Sequence, residues 1–197
     1  MQKGDKHCEM FSLYYLKLII VDGLMPDQSL GNIDNELVEN QEALIQHFRQ
    51  NLRELIYNNI GDVEQASVSE HDPDAAAIAY KVNYALREIQ NPRKQLTDIT
   101  VDFIATLYAK NSTYEPQTSL IFKECVTSHP CDGTKNDVQI LYGEKHHWIC
   151  TFWNAKQRQI VVYDSLYNWF KATFFGLSNQ QEDVLKRLYH GGRQSPK

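Results

Sequence analysis

The stretch that decides the fold is His146–Asn168, HHWICTFWNAKQRQIVVYDSLYN. Trp148 to Trp153 and Gln159 to Tyr163 are dense in Ile, Val, Phe and Trp, which predicts two strands. Asn154-Ala155-Lys156-Gln157 between them predicts a hairpin turn. If the strands pair, the entrance of the first lies beside the exit of the second. His147 and Asp164 then share one sheet edge. An Asp in that position accepts a hydrogen bond from one imidazole nitrogen and fixes the tautomer. The other nitrogen can take a proton from a nucleophile, a contribution of about 10²–10⁴ in rate. The same residues also suit a bland reading, a structural His beside Trp148 and a turn-forming Asp-Ser. The nucleophile has to decide between them.

Working outward, Val138 to Tyr142 and Ser119 to Cys125 also read as strands. The earlier half is helical. Residues 8 to 22 carry a buried-helix pattern, stopped by Gly23 and Pro26. Glu36 to Asn58 is amphipathic, with Leu44, Ile45, Phe48, Leu52, Leu55 and Ile56 at helical spacing, and Gly61 is its expected end. The polar run Asp62 to Asp74 predicts a linker. A helix over Ala75 to Gln90, capped by Asp74, closes at Asn91-Pro92, and another covers Leu96 to Tyr108. A last helix is expected over Asn179 to Tyr189. The sum is an α+β chain with a short sheet in its C-terminal half.

Composition narrows the function classes. The chain has 197 residues, 42% hydrophobic and 23% charged, which are ordinary globular values. Its net charge is -5, with no long basic run, so nucleic acid is not an expected partner. The apolar run from Met10 to Val21 contains Lys17 and is too short to span a bilayer, and no signal-peptide pattern accompanies it. Four cysteines, at 8, 125, 131 and 150, do not form a disulfide framework. Cys125, His129, Cys131 and Cys150 lack the paired spacing of a structural zinc site, so no metal is expected. These features together predict a cytoplasmic or nuclear protein.

The nucleophile candidate is Cys8, at the start of an apolar helix. Backbone N–H groups and the helix dipole there are expected to lower a thiol's pKa from about 8.5. Gln2 stands six residues earlier, where its amide could donate to a developing oxyanion. In isolation Cys8 reads more readily as a small buried apolar residue at a helix start.

These pieces in combination resemble the ubiquitin-like-protein-specific cysteine proteases, the SUMO and NEDD8 protease group related to adenoviral endopeptidase. That family carries a His-Trp pair opening a strand, an Asp in a Tyr-Asp-Ser-Leu-like segment, a Gln, and a Cys six residues after the Gln. Here they correspond to His147-Trp148, Tyr163-Asp164-Ser165-Leu166, Gln2 and Cys8. The match covers roughly residues 1–58 and 96–190. The resemblance implies a papain-like fold, a short mixed sheet flanked by helices. It implies Cys8 as nucleophile, His147 as general base, Asp164 as its orienter and Gln2 as oxyanion donor. Trp148 would wall a channel for a Gly-Gly tail.

Two departures are plain in the sequence. The family runs His, Asp, Gln, Cys, whereas this chain runs Gln, Cys, His, Asp. That order fits either a circular permutation or parts of two tandem copies. The expected organisation is a C-terminal-like half over 1–61, a linker and helix over 62–95, and an N-terminal-like half over 96–197. The family's Asp-Cys-Gly is here His7-Cys8-Glu9, which sets a negative charge beside the thiol. The implied function is a peptidase or isopeptidase that processes a ubiquitin-like modifier, with no cofactor. The alternatives are an inactive module that binds such a modifier, or an incomplete piece of a longer polyprotein.

Overall fold

The computed structural model describes residues 7–23, 41–66, 73–114, 119, 134–143 and 147–163. They form four helices, α1 (Cys8–Ile20), α2 (Gln41–Ala66), α3 (Pro73–Gln90) and α4 (Asp98–Ala109). Three strands follow, β1 (Asp137–Gly143), β2 (His147–Asn154) and β3 (Gln159–Tyr163). The chain is α+β. The described strands form one sheet in the order β1-β2-β3, and both pairings are antiparallel, where a mixed sheet was expected. Short links explain this: three residues join β1 to β2 and four join β2 to β3, and a parallel pair needs a crossover of a dozen residues or more.

α1 is the centre of the molecule. It is buried almost all round, at Cys8, Glu9, Met10, Phe11, Ser12, Leu13, Tyr15, Leu16, Leu18 and Ile19. A helix apolar on every side has to be covered on every side. The sheet covers one side, where Tyr15 stacks on Tyr163 of β3 with ring centroids 5.1 Å apart. Helices α2 and α4 cover the other, where Tyr14 meets Phe48 of α2 edge-on at 5.4 Å. Fully burying side chains such as Leu13 and Leu16 contributes about 1.5–3 kcal/mol each. The helix stops where Val21 and Asp22 N–H groups both donate to the Lys17 carbonyl. Gly23 follows with φ +66°, a left-handed conformation that glycine adopts without a Cβ clash.

The remaining helices keep their apolar stripes inward: Ile45, Phe48, Leu52 and Ile56 on α2, Val82, Ala85 and Ile89 on α3, Val101, Ile104, Ala105 and Tyr108 on α4. Together with α1 and the α1-facing side of the sheet they make one core cluster. α2 does not end at Gly61 as expected but continues to Ala66, into the run read as a linker. One helical glycine costs only about 1 kcal/mol, which a 26-residue helix tolerates. α3 opens at Pro73, whose fixed φ suits a first helical turn, so Asp74 lies inside the helix instead of capping it. Of the strand expected over Ser119–Cys125 only Ser119 is described, and it is not in a strand. The helix expected over Asn179–Tyr189 lies outside the described residues. Among the described residues no helix is long and apolar enough to cross a membrane.

Candidate functional site

β2 is the middle strand, and its burial is continuous from Trp148 to Trp153. The two faces separate by alternation. Trp148, Cys150 and Phe152 belong to the core cluster on the α1 side, with Ile140 and Tyr163 as their cross-strand neighbours. His147, Ile149, Thr151 and Trp153 alternate onto the opposite face. Tyr142 of β1 pairs with Trp148 across the strands, their ring centroids 4.7 Å apart.

The start of α1 meets the start of β2. The backbone N–H of Trp148 favours the Cys8 thiolate, so the thiol near one end of the sequence lies near the residue next to His147. The sheet brings the two sequence regions together because α1 packs along β2 and β1. Alternation turns the Trp148 side chain toward α1, while His147, the first residue of the strand, belongs to the other face. Gln2 and Asp164 lie outside the described residues, as do Cys125, His129 and Cys131. Cys150, within β2, is a buried thiol whose pKa burial pushes up.

The electrostatics at Cys8 run against the expected activation. The residue is only 1% exposed. Burial, and then the charge of Glu9, push its thiol up to about 12, outweighing the Trp148 N–H, which favours the thiolate. The helix start does not prevail because a dry thiolate beside a carboxylate loses more than the amides return.

Glu9 itself is fully buried. Its Oε2 accepts from Cys8 Sγ at 3.7 Å, and its Oε1 accepts from the Leu96 N–H at 3.4 Å. Burial raises its carboxyl to about 7, against the opposing pull of its own N–H, the Leu96 N–H and the charge of Arg49. Burial also raises the Tyr142 hydroxyl, and the charges of Cys8 and Asp98 add to it.

Leu96 lies in the turn between α3 and α4, and two further buried charges hold that turn. Arg49 of α2 donates from Nη1 to the carbonyls of Glu88, Ile89 and Asn91 at 3.1, 3.2 and 3.3 Å. Its Nη2 donates to the Lys94 carbonyl at 2.9 Å. These carbonyls lie at and beyond the end of α3, where an arginine fork serves them; those of Glu88 and Asn91 also accept the N–H groups of Asn91 and Lys94. Glu88 Oε2 accepts from Thr97 N–H at 2.8 Å, Thr97 Oγ1 at 3.0 Å and Thr100 Oγ1 at 2.6 Å. Glu88 thereby caps α4 from the preceding helix.

Sequence reasoning had weighed Glu9 as a charge beside the thiol, but not as a tether, and it missed Glu88. The available signal was a charged residue inside an apolar stripe: Glu9 between Cys8 and Met10, Arg49 between Phe48 and Leu52, Glu88 between Ala85 and Ile89.

A separate cleft of about 450 Å³ opens between α2, α3 and α4, lined by Ile56, Ile60, Ile78, Val82, Phe103 and Leu107 among others. None of Cys8, His147 and Trp148 lines it. Among the described residues no cluster of three or more His, Cys, Asp or Glu side chains is arranged to hold a metal ion.

No protein-family model, curated protein or solved structure matches this chain.

Proposed function

We propose that the chain is a cysteine peptidase or isopeptidase with a papain-like arrangement in permuted order, acting in the cytoplasm or nucleus on the Gly-Gly tail of a ubiquitin-like modifier. The observation that carries this reading is the packing of α1 along β2, which sets the Trp148 amide where it favours the Cys8 thiolate. It joins the helix start that bears the thiol to the strand start that bears His147.

In this reading Cys8 attacks the carbonyl of the terminal glycine. His147 takes the thiol proton and returns it to the leaving amine. Asp164 orients the imidazole, and Gln2 donates to the oxyanion. The resulting thioester is hydrolysed by water. In this reading Trp148, packed on Tyr142, would wall the tail channel once the site opens. Cys8 is buried and its thiol protonated, so on the peptidase reading substrate has to open the site.

A second reading, a module that binds the modifier without cutting it, is favoured by that same burial and by His147 alternating onto the face away from α1. A panel of ubiquitin-like vinyl sulfone probes separates the two. The peptidase predicts a covalent adduct, seen as a mass shift, that Cys8→Ala abolishes and His147→Ala slows. Binding without adduct supports the module, and neither adduct nor binding removes both.

A further inference from the structure

We propose that Glu9 is a latch on Cys8: its buried carboxylate, clamped between the thiol and the Leu96 amide, holds the sulfur in its protonated form. The geometry is specific. Glu9 is adjacent to the thiol in sequence, has no exposed surface, and spends one oxygen on Cys8 Sγ at 3.7 Å and the other on Leu96 N–H at 3.4 Å. The Leu96 bond reaches across 87 positions of sequence and fixes the carboxylate, so it cannot swing to water to escape the sulfur. A negative charge held there in a dry site opposes a second negative charge on the sulfur.

The surrounding charged and titratable groups are Arg49 from α2, Glu88 from α3, Asp98 from α4, Tyr142 from β1 and His147 at the head of β2, with His7 just before the helix. Arg49 is the cation among those that act on Glu9, and its guanidinium is already committed to four carbonyls of the α3–α4 turn. It therefore moderates the Glu9 charge without cancelling it, and Glu9 still titrates well above ordinary glutamates. The latch ties the state of the thiol to the α3–α4 turn through Leu96.

As regulation of a hydrolytic site this inference rests on the peptidase reading, so its test uses a reagent that needs no substrate site. Iodoacetamide labelling of the intact chain is followed at the Cys8 peptide by mass spectrometry from pH 6 to 10. Glu9→Gln keeps the shape and the acceptor for Leu96 but removes the charge. It is expected to label about tenfold faster at pH 8, where both proteins lie well below their midpoints and about one unit of displacement reads as a tenfold rate. A rise under about threefold, or a fall, overturns the latch; a fall would make Glu9 a base for the thiol. Thiolate absorbance near 240 nm, taken as wild type minus Cys8→Ser, gives a second measure that needs no Glu9 variant. It should grow only above about pH 10, and a midpoint at an ordinary thiol value of about 8.5 overturns the latch equally. Faster labelling of Glu9→Gln without any vinyl sulfone adduct would keep the latch and remove the peptidase.

Discussion

Arg49 and Glu88 hold opposite sides of one turn. The guanidinium of Arg49 gathers the carbonyls of Glu88, Ile89, Asn91 and Lys94, while the Glu88 carboxylate gathers donors from Thr97 and Thr100. Both side chains are buried, at 3% and 1% exposure, so neither charged group can exchange its partners freely for water. The first prediction follows from that. Arg49→Met leaves four carbonyls without this donor and removes the cation beside Glu9 and Glu88, which should cost about 3–5 kcal/mol. Arg49→Lys retains the charge but not the fork and should cost roughly half as much. Urea melts measure both. An Arg49→Lys variant as stable as the wild type would mean that the fork geometry is irrelevant, and equal losses in the two variants would mean that the retained charge contributes nothing.

Glu88 makes a pH-dependent contribution with a definite sign. Burial works to raise its pKa. The bonds from Thr100, the Thr97 N–H, Lys94 and the Thr97 hydroxyl outweigh that and hold it below the ordinary glutamate range. A depressed folded value means stability that is present above the unfolded value of about 4.3 and lost as pH falls through the lower folded value. Glu88→Gln should therefore be destabilising at pH 7, by about 1–3 kcal/mol for the charge-assisted bonds. The difference should vanish in acid, below the folded value. A loss that is the same at pH 7 and pH 3 would show that the charge on Glu88 does not matter.

The hairpin between β2 and β3 carries a local strain that a single substitution should relieve. Its loop is Ala155–Arg158, and Arg158 sits at φ 52°, where an L side chain crowds its own backbone. Asn154 organises the loop by accepting from the Gln157 N–H at 3.0 Å. The Arg158 side chain is exposed, so nothing in the core depends on it. Arg158→Gly should raise stability by about 0.5–1 kcal/mol, seen as a higher urea midpoint with an unchanged slope. Any loss of stability would mean that the side chain has a role beyond the turn.

That hairpin also shows how the sequence speaks. Its two strands were legible because Trp148–Trp153 and Gln159–Tyr163 are continuous apolar runs, and the loop was placed within one residue. The helices were legible from stripes such as Ile45, Phe48, Leu52 and Ile56, since a helix has to bury one face. Their ends were less so: α2 passes through Gly61, because packing along α3 and α4 outweighs one glycine. The family resemblance led to the expectation that Cys8, His147 and Asp164 meet in one site; the start of α1 does pack on β2, but His147 alternates onto the other face and Asp164 lies outside the described residues. The sense of the shift at Cys8 was not legible. Helix-start amides are visible in a sequence, but the dryness of the site depends on what α1 packs against. The Glu9 bond to Leu96 was equally invisible, since it joins residues far apart in the chain.

Glu9 gives the last prediction, and its sign is opposite to that of Glu88. Its folded pKa, about 7, lies above the ordinary unfolded value because the carboxylate is dry. The folded protein therefore binds the Glu9 proton more tightly than the unfolded chain does. The stability this gives is full below about pH 4 and is lost as pH rises through about 7, where the buried carboxyl has to ionise. Glutamine is neutral at every pH and still accepts from Leu96. Glu9→Gln should match the wild type near pH 4 and exceed it by roughly 2–4 kcal/mol at pH 8, taking about 1.4 kcal/mol per pH unit of displacement. The check is a pair of urea titrations at the two pH values, with the difference compared between them. If the advantage of Glu9→Gln were constant with pH, or larger in acid, the carboxylate would not be buried in ionised form at pH 8. The charge that is meant to hold the Cys8 thiol protonated would then be missing from the folded protein.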